Sequence, residues 1–216
     1  MKSPVARKDR PHLRFPGVPA PKPLLAADTE LRMTSRQREL LDDLEKLVAK
    51  EGIGDLTMAE IAAQTNCSLR TLYGLAPSKD ELVLMVVDRR LHRIGRAAVE
   101  SLDPAMSPVD LLRAYLQAAN EAVQPSTVAY SLELASIRGA KRLLDAHEGY
   151  VMSVTQSLLE RAVEEGQIPS VDTGSVAHVL GGLGREFARP EVAEVLRSTP
   201  KATADAITEI ILRGLT

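Results

Sequence analysis

Arg70, Thr71 and Tyr73 crowd three hydrogen-bonding side chains into a short stretch, with Thr57, Ser68 and Lys79 to either side. A guanidinium fork fits a guanine O6/N7 edge or a phosphate. Threonine and tyrosine hydroxyls bind phosphate oxygens, and the threonine methyl or tyrosine ring can meet a thymine methyl. A lysine in the first turn of a helix joins free backbone N–H groups in holding a phosphate, and Thr57 at a helix start offers the same. Taken singly, each is an ordinary solvated residue. The elements that position them decide the matter.

Those elements are two very short helices and the start of a long one. Thr57 and Glu60 spell a capping box, and Ser78 and Glu81 repeat it at the next helix start. Between them Ser68 caps a second short helix, with Leu69 and Leu72 facing inward and Arg70, Thr71 and Tyr73 outward. Two short helices joined by a tight turn make a helix-turn-helix, whose second helix enters the DNA major groove.

At Ile61-Ala62, Ser68, Thr71-Leu72-Tyr73 and Pro77-Ser78-Lys79-Asp80-Glu81-Leu82 the sequence resembles the tetracycline-repressor (TetR-like) family of bacterial transcription regulators. Asn66 stands where that family usually has Gly, and Gly74-Leu75-Ala76 replaces its aromatic-rich segment. The resemblance implies an all-α fold: an N-terminal three-helix domain, a long linking helix and a C-terminal bundle for ligand binding and dimerisation. It also implies a repressor that binds a palindromic operator as a homodimer and is released by a small-molecule effector. The tilt of the linking helix would then carry the signal.

Composition bounds the alternatives. A chain of 216 residues with a formal net charge of -2 does not coat polyanions generally, so DNA affinity must come from local patches. A single cysteine excludes an internal disulfide framework and suits a reducing cytoplasm. No apolar run reaches the length of a membrane span, and the N-terminus does not read as a signal peptide. Together these features predict a soluble cytoplasmic protein, at the nucleoid when bound to double-stranded DNA.

Residues 1–33 read as a proline-rich basic arm, extended or disordered, with a net charge of +5 over residues 1–23. It is either a solubilising tail or an arm that tracks phosphates beside the helix-turn-helix. Residues 34–80 form the reading domain, opened by a Thr34/Gln37 capping box and closed on its first helix by Gly52. Between Arg32 and Lys79, seven basic and seven acidic residues balance, so motif geometry and not charge carries the DNA reading. From Lys79 a long helix runs to Leu102; its Arg89, Arg90, His92, Arg93 and Arg96 read first as a solvated or internally paired face and second as a phosphate strip.

Residues 81–216 continue as helices with no strand pattern, giving about nine helices in all. Tyr115, Tyr130, Glu133 and His147 are candidates to line an effector pocket in the bundle. His147 on an apolar stripe reads first as a core histidine with a satisfied ring, ahead of a ligand contact. Ala177, Gly181, Gly184 and Ala188 form a small-residue stripe that lets a helix approach closely, within the chain or from a second copy. By the resemblance this helix and the last one, with Ile207 and Ile211, make the dimer interface, setting two recognition helices about 34–36 Å apart.

Other chemistries lack support. Asp172-Thr173-Gly174-Ser175 resembles an aspartic-protease loop, but it occurs once, in a helical context where Asp172 or Thr173 caps a helix. Gly182-Leu183-Gly184 follows no strand, and there is no Gly-x-Ser-x-Gly elbow. His12, His92, His147 and His178 show no ligand spacing and Cys67 stands alone, so neither metal nor cofactor is expected. A non-enzymatic regulator is the leading expectation; an interaction module that has lost DNA binding remains the alternative.

Overall fold

The computed structural model describes residues 13, 15–25, 27–123 and 128–216, and these are all helical or loop, with no strand among them. In order the helices are α1 (Ala27–Arg32), α2 (Ser35–Glu51), α3 (Met58–Gln64), α4 (Leu69–Leu75), α5 (Lys79–Glu100) and α6 (Pro108–Ala119). A 3-10 turn (Asn120–Val123) follows, then α7 (Val128–Ser136), α8 (Ala140–Glu164), α9 (Thr173–Phe187), α10 (Pro190–Ala193) and α11 (Pro200–Leu215). Nine of the eleven α-helices run seven residues or more, matching the expected helical count.

Local signals place most helix ends. Thr34 and Thr57 each complete a capping box, with Gln37 and Glu60 reaching back to the cap. At α5, Ser78 Oγ accepts from the Glu81 N–H at 3.2 Å, one half of the expected device. Ser107 caps α6 ahead of Pro108, and Asp172 caps α9 by accepting from the Ser175 N–H. Asp172-Thr173-Gly174-Ser175 is thus a helix start.

Two apolar cores result. The first joins α2, α3, α4 and the first half of α5, with Leu41, Leu44, Ile61, Leu72 and Leu82 fully buried. Leu134 and Ile137 of the α7 region and Ala140 of α8 pack into this same core, so the bundle grips the N-terminal helices directly. The second core joins α6, α8, α9 and α11 around Leu111, Leu112, Tyr115, Leu158 and Leu159.

The segment before α2 departs from the expected extended arm. Leu13, Phe15 and Val18 pack against the second core, with Phe15 tilted on Tyr115 at 6.5 Å between ring centroids. Leu25 and Met33 pack into the first core, and the Leu24 N–H donates to Asp88 Oδ2 at 2.7 Å. Prolines prevent a long helix here, but the apolar residues between them still repay burial. Residues 1–12, which hold most of the basic charge, lie outside the described residues.

Candidate DNA interface and effector cavity

The turn between α3 and α4 is built tightly. Asn66 takes a positive φ of 49°, which an asparagine tolerates better than other side-chain-bearing residues. The Cys67 N–H donates to Ala62 O at 2.9 Å, and Arg36 of α2 clamps the turn by donating to Asn66 O at 3.1 Å. Ile61 and Leu72 seat the two short helices on α2 and α5. Leu69, expected inward, is instead 42% exposed, while Leu72 is fully buried and Leu75 packs partly buried against the core.

On this frame the six sequence candidates divide. Arg70 and Tyr73 project from the outer face of α4; Tyr73 is 54% exposed and Arg70 has no ion pair among the described residues. Thr71 is half-buried, its hydroxyl 2.8 Å from that of Ser68. Ser68 and Thr57 use their hydroxyls as caps. Thr57 also draws the Glu60 carboxyl below its ordinary pKa, through its backbone N–H first and its hydroxyl second. The Lys79 ammonium donates to the carbonyls of Gly54 and Leu56, so it closes the loop before α3.

The arginines of α5 are largely internally paired. Arg89 bridges Glu30 at 3.1 Å and Asp42 at 2.8 Å, Arg90 donates to Ala122 O at 2.8 Å, and Arg93 pairs with Glu45. They lock α5 to α2 and to the 3-10 turn.

Residues 40–86 match the family model described as bacterial regulatory proteins, tetR family. The chain carries the TetR-family N-terminal domain on a TetR-type fold. A TetR-family transcription regulator from Haloarcula marismortui superposes with a TM-score of 0.68 at 18% identity, covering 85% of this chain and 99% of its own. The transcriptional regulator FadR from Bacillus subtilis, in complex with stearoyl-CoA, gives 0.66 at 14% identity, covering 83% and 99%. A protein from Saccharomonospora viridis in complex with choline gives 0.67 at 16% identity, covering 84% and 97%. No curated protein matches the chain in sequence. At these identities the structures establish a shared fold.

Beyond this TetR-type head, the bundle holds a cavity of about 590 Å³, within the usual range for small-ligand sites. Its apolar lining includes Leu91, Ile94, Leu134, Ile137 and Val151. Its charged lining includes Lys141, Glu148, Arg185, Arg189 and Glu191, with Arg185 paired to Asp145 at 2.6 Å and to Glu148. Tyr115, Tyr130 and His147 are among its lining residues. Burial pushes the Tyr115 phenol far above its ordinary range, so it stays neutral.

Glu133 does not line this cavity. Its Oε2 accepts the Ile53 N–H at 2.8 Å, so Glu133 is a strut from α7 to the loop between α2 and α3.

The small-residue stripe of α9 also faces its own chain. A Cβ on Gly181 would fall 2.7 Å from Met152 Cγ, and one on Gly184 2.9 Å from Asn120 Oδ1. Ala177 is buried in the second core, and Ala188 lines the cavity. Within the protomer, α8 and the 3-10 turn lie against Gly181 and Gly184. Val179 on α9 and Ile210 on α11 are the exposed apolar residues, at 51% and 65%, with Ile207 and Ile211 partly buried beside them.

The histidines also differ from expectation. Asp88 and His92 on α5 and His147 on α8 bring their ligand atoms within 4.8 Å of one another. His147 lies 59 positions from Asp88, a separation in which sequence spacing carries no signal. Burial is the largest influence on the His92 ring and holds its pKa below the ordinary value, favouring the neutral form.

Proposed function

We propose that the protein is a ligand-responsive transcriptional repressor that binds a palindromic operator as a homodimer and releases it when a small molecule enters the bundle cavity. The observation that carries this reading is a helix-turn-helix with Arg70 and Tyr73 unencumbered on its outer face, joined to a bundle with a cavity. Arg70 reads a guanine edge or phosphate, and Tyr73 reaches a phosphate or a thymine methyl. Thr71 supports them, while Thr57, Ser68 and Lys79 hold the head in shape; the N–H groups at the start of α5 remain near a passing phosphate. The dimer forms through the outer faces of α9 and α11, at Val179 and Ile210 with Ile207 and Ile211.

The cavity suits an amphipathic effector, with an aliphatic part against Leu91, Ile94 and Val151 and a polar group among Arg185, Glu148 and Lys141. Such a ligand presses on Leu134 and Ile137, whose neighbour Glu133 holds the loop at Ile53. Repression is relieved only if the effector binds the DNA-incompetent arrangement more tightly. Coupling is then reciprocal: operator DNA must weaken effector binding by the same factor that effector weakens DNA binding. Calorimetric titration of a thermal-shift hit into free and operator-bound protein tests this. Equal affinities in the two titrations would sink the ligand-responsive reading and favour a regulator insensitive to that compound class.

A further inference from the structure

We propose that Asp88, His92 and His147 form a binding site for one divalent transition-metal ion of the zinc class, clamped between α5 and α8 at the wall of the cavity. Asp88 Oδ1 lies 3.0 Å from His147 Nε2 and 3.5 Å from His92 Nε2. A tetrahedral ion with bonds of about 2.0–2.1 Å spaces its ligand atoms by roughly 3.3 Å. The two observed separations bracket that value. Both Nε2 atoms thus face the same carboxylate oxygen, and the rings meet edge to face with centroids 4.7 Å apart.

Two further observations point to an ion over a plain ion-pair cluster. His92 Nε2 is buried and has no hydrogen-bond partner, although buried polar atoms are nearly always satisfied. One carboxylate oxygen thus faces two ring nitrogens and bonds only one of them. Asp88, 3% exposed, is also oriented from behind, its Oδ2 accepting the Leu24 N–H at 2.7 Å. Such an outer contact fixes a metal-binding carboxylate in place. Of the neighbouring charges, Glu30 favours a cation at this position and Arg96 opposes it.

The donor set selects the ion. Calcium and magnesium prefer all-oxygen sites, whereas two imidazoles with one carboxylate suit zinc, nickel, cobalt or ferrous iron. Three protein ligands leave a coordination position open, and His147 is itself a cavity residue, so that position is available to a donor atom of whatever occupies the cavity. The ion also ties α5, which carries the reading head, to α8. That regulatory consequence rests on the proposed function; the metal site itself does not.

The test titrates Zn2+ into chelator-treated full-length protein without DNA, with Co2+ absorption reporting coordination. One equivalent is expected to bind and to raise Tm. His92→Gln and His147→Gln should each weaken that binding by about a hundredfold or more, while His178→Gln on exposed α9 leaves it unchanged. Circular dichroism confirms that each variant is folded, and anomalous diffraction at the zinc edge locates the ion in wild type should a variant unfold. Absence of binding by folded wild type, an ion located elsewhere, or wild-type affinity in the folded histidine variants would overturn the proposal. Failure of DNA binding in the same preparation would bear on the regulator reading alone.

Discussion

The reading head and the bundle deploy their polar groups in opposite ways. In the head, Thr34, Thr57, Ser68 and Ser78 each bond a backbone N–H three positions on, leaving Arg70 and Tyr73 uncommitted at the surface. In the bundle the decisive contacts join distant segments: Glu133 to Ile53, Arg185 to Asp145 and Glu148, and His147 to Asp88. A locally capped head keeps one shape and can be moved as a unit. A bundle held by long-range contacts around a cavity can exchange one set of partners for another, which an effector-driven shift requires. Arg89, Arg90 and Arg93 couple the two by locking α5 to its neighbours.

The largest expected effect falls on the head's core. Leu72 is the fully buried anchor of α4, so Leu72→Ala should lower stability by roughly 2–5 kcal/mol and abolish DNA binding with it. Leu158→Ala in the second core should cost a similar amount by chemical denaturation, yet leave DNA affinity near wild type at temperatures where the protein stays folded. If both variants lose DNA binding equally in their folded states, the head is not a separable unit.

Next in size, Arg70→Ala and Tyr73→Ala should each weaken binding to a selected operator by about 1–3 kcal/mol with Tm unchanged, since neither side chain supports the fold. Lys79→Ala should behave differently, lowering Tm through the freed Gly54 and Leu56 carbonyls. A Lys79 variant that keeps its Tm and loses DNA affinity would return this residue to direct contact.

Gly181→Leu sharpens the assignment of the α9 stripe. Packed against Met152, it should destabilise each protomer by about 1–3 kcal/mol. Val179→Glu and Ile210→Glu should leave the protomer folded and shift sedimentation toward monomer. The reverse pattern would place the second copy on the glycine side.

The smallest effect concerns pH. Glu60 carries a lowered folded pKa through Thr57, so its contribution to stability is present above the ordinary value of 4.5 and disappears as pH falls through the folded pKa. The Tm difference between wild type and Thr57→Ala should therefore be larger at neutral pH than in acid. A pH-independent difference would mean that the Glu60 arm of the box contributes nothing.

What was legible in the sequence follows the same division. Caps, the Asn66 turn and the inward Leu72 are local, and spacing alone reveals them. The carbonyl contacts of Lys79 and the Ile53 contact of Glu133 were not legible, because they reach residues 25 and 80 positions away. The glycine stripe was legible as a close-approach surface, though not which helix would fill it. The segment 13–33 was masked by its prolines, which signal irregular backbone and say nothing of whether Phe15 or Leu25 is buried. The Asp88–His92–His147 cluster depends on α5 and α8 meeting, which no pattern in either helix announces.

The most direct measurement is selection of bound fragments from random duplex DNA, by wild type and by the Arg70→Ala/Tyr73→Ala double variant in parallel. The expected result is a palindromic motif, with half-sites one helical turn apart, enriched by wild type and lost in the variant. A folded, dimeric wild-type protein that enriches nothing at low salt would contradict the regulator reading and leave a helical interaction module in its place.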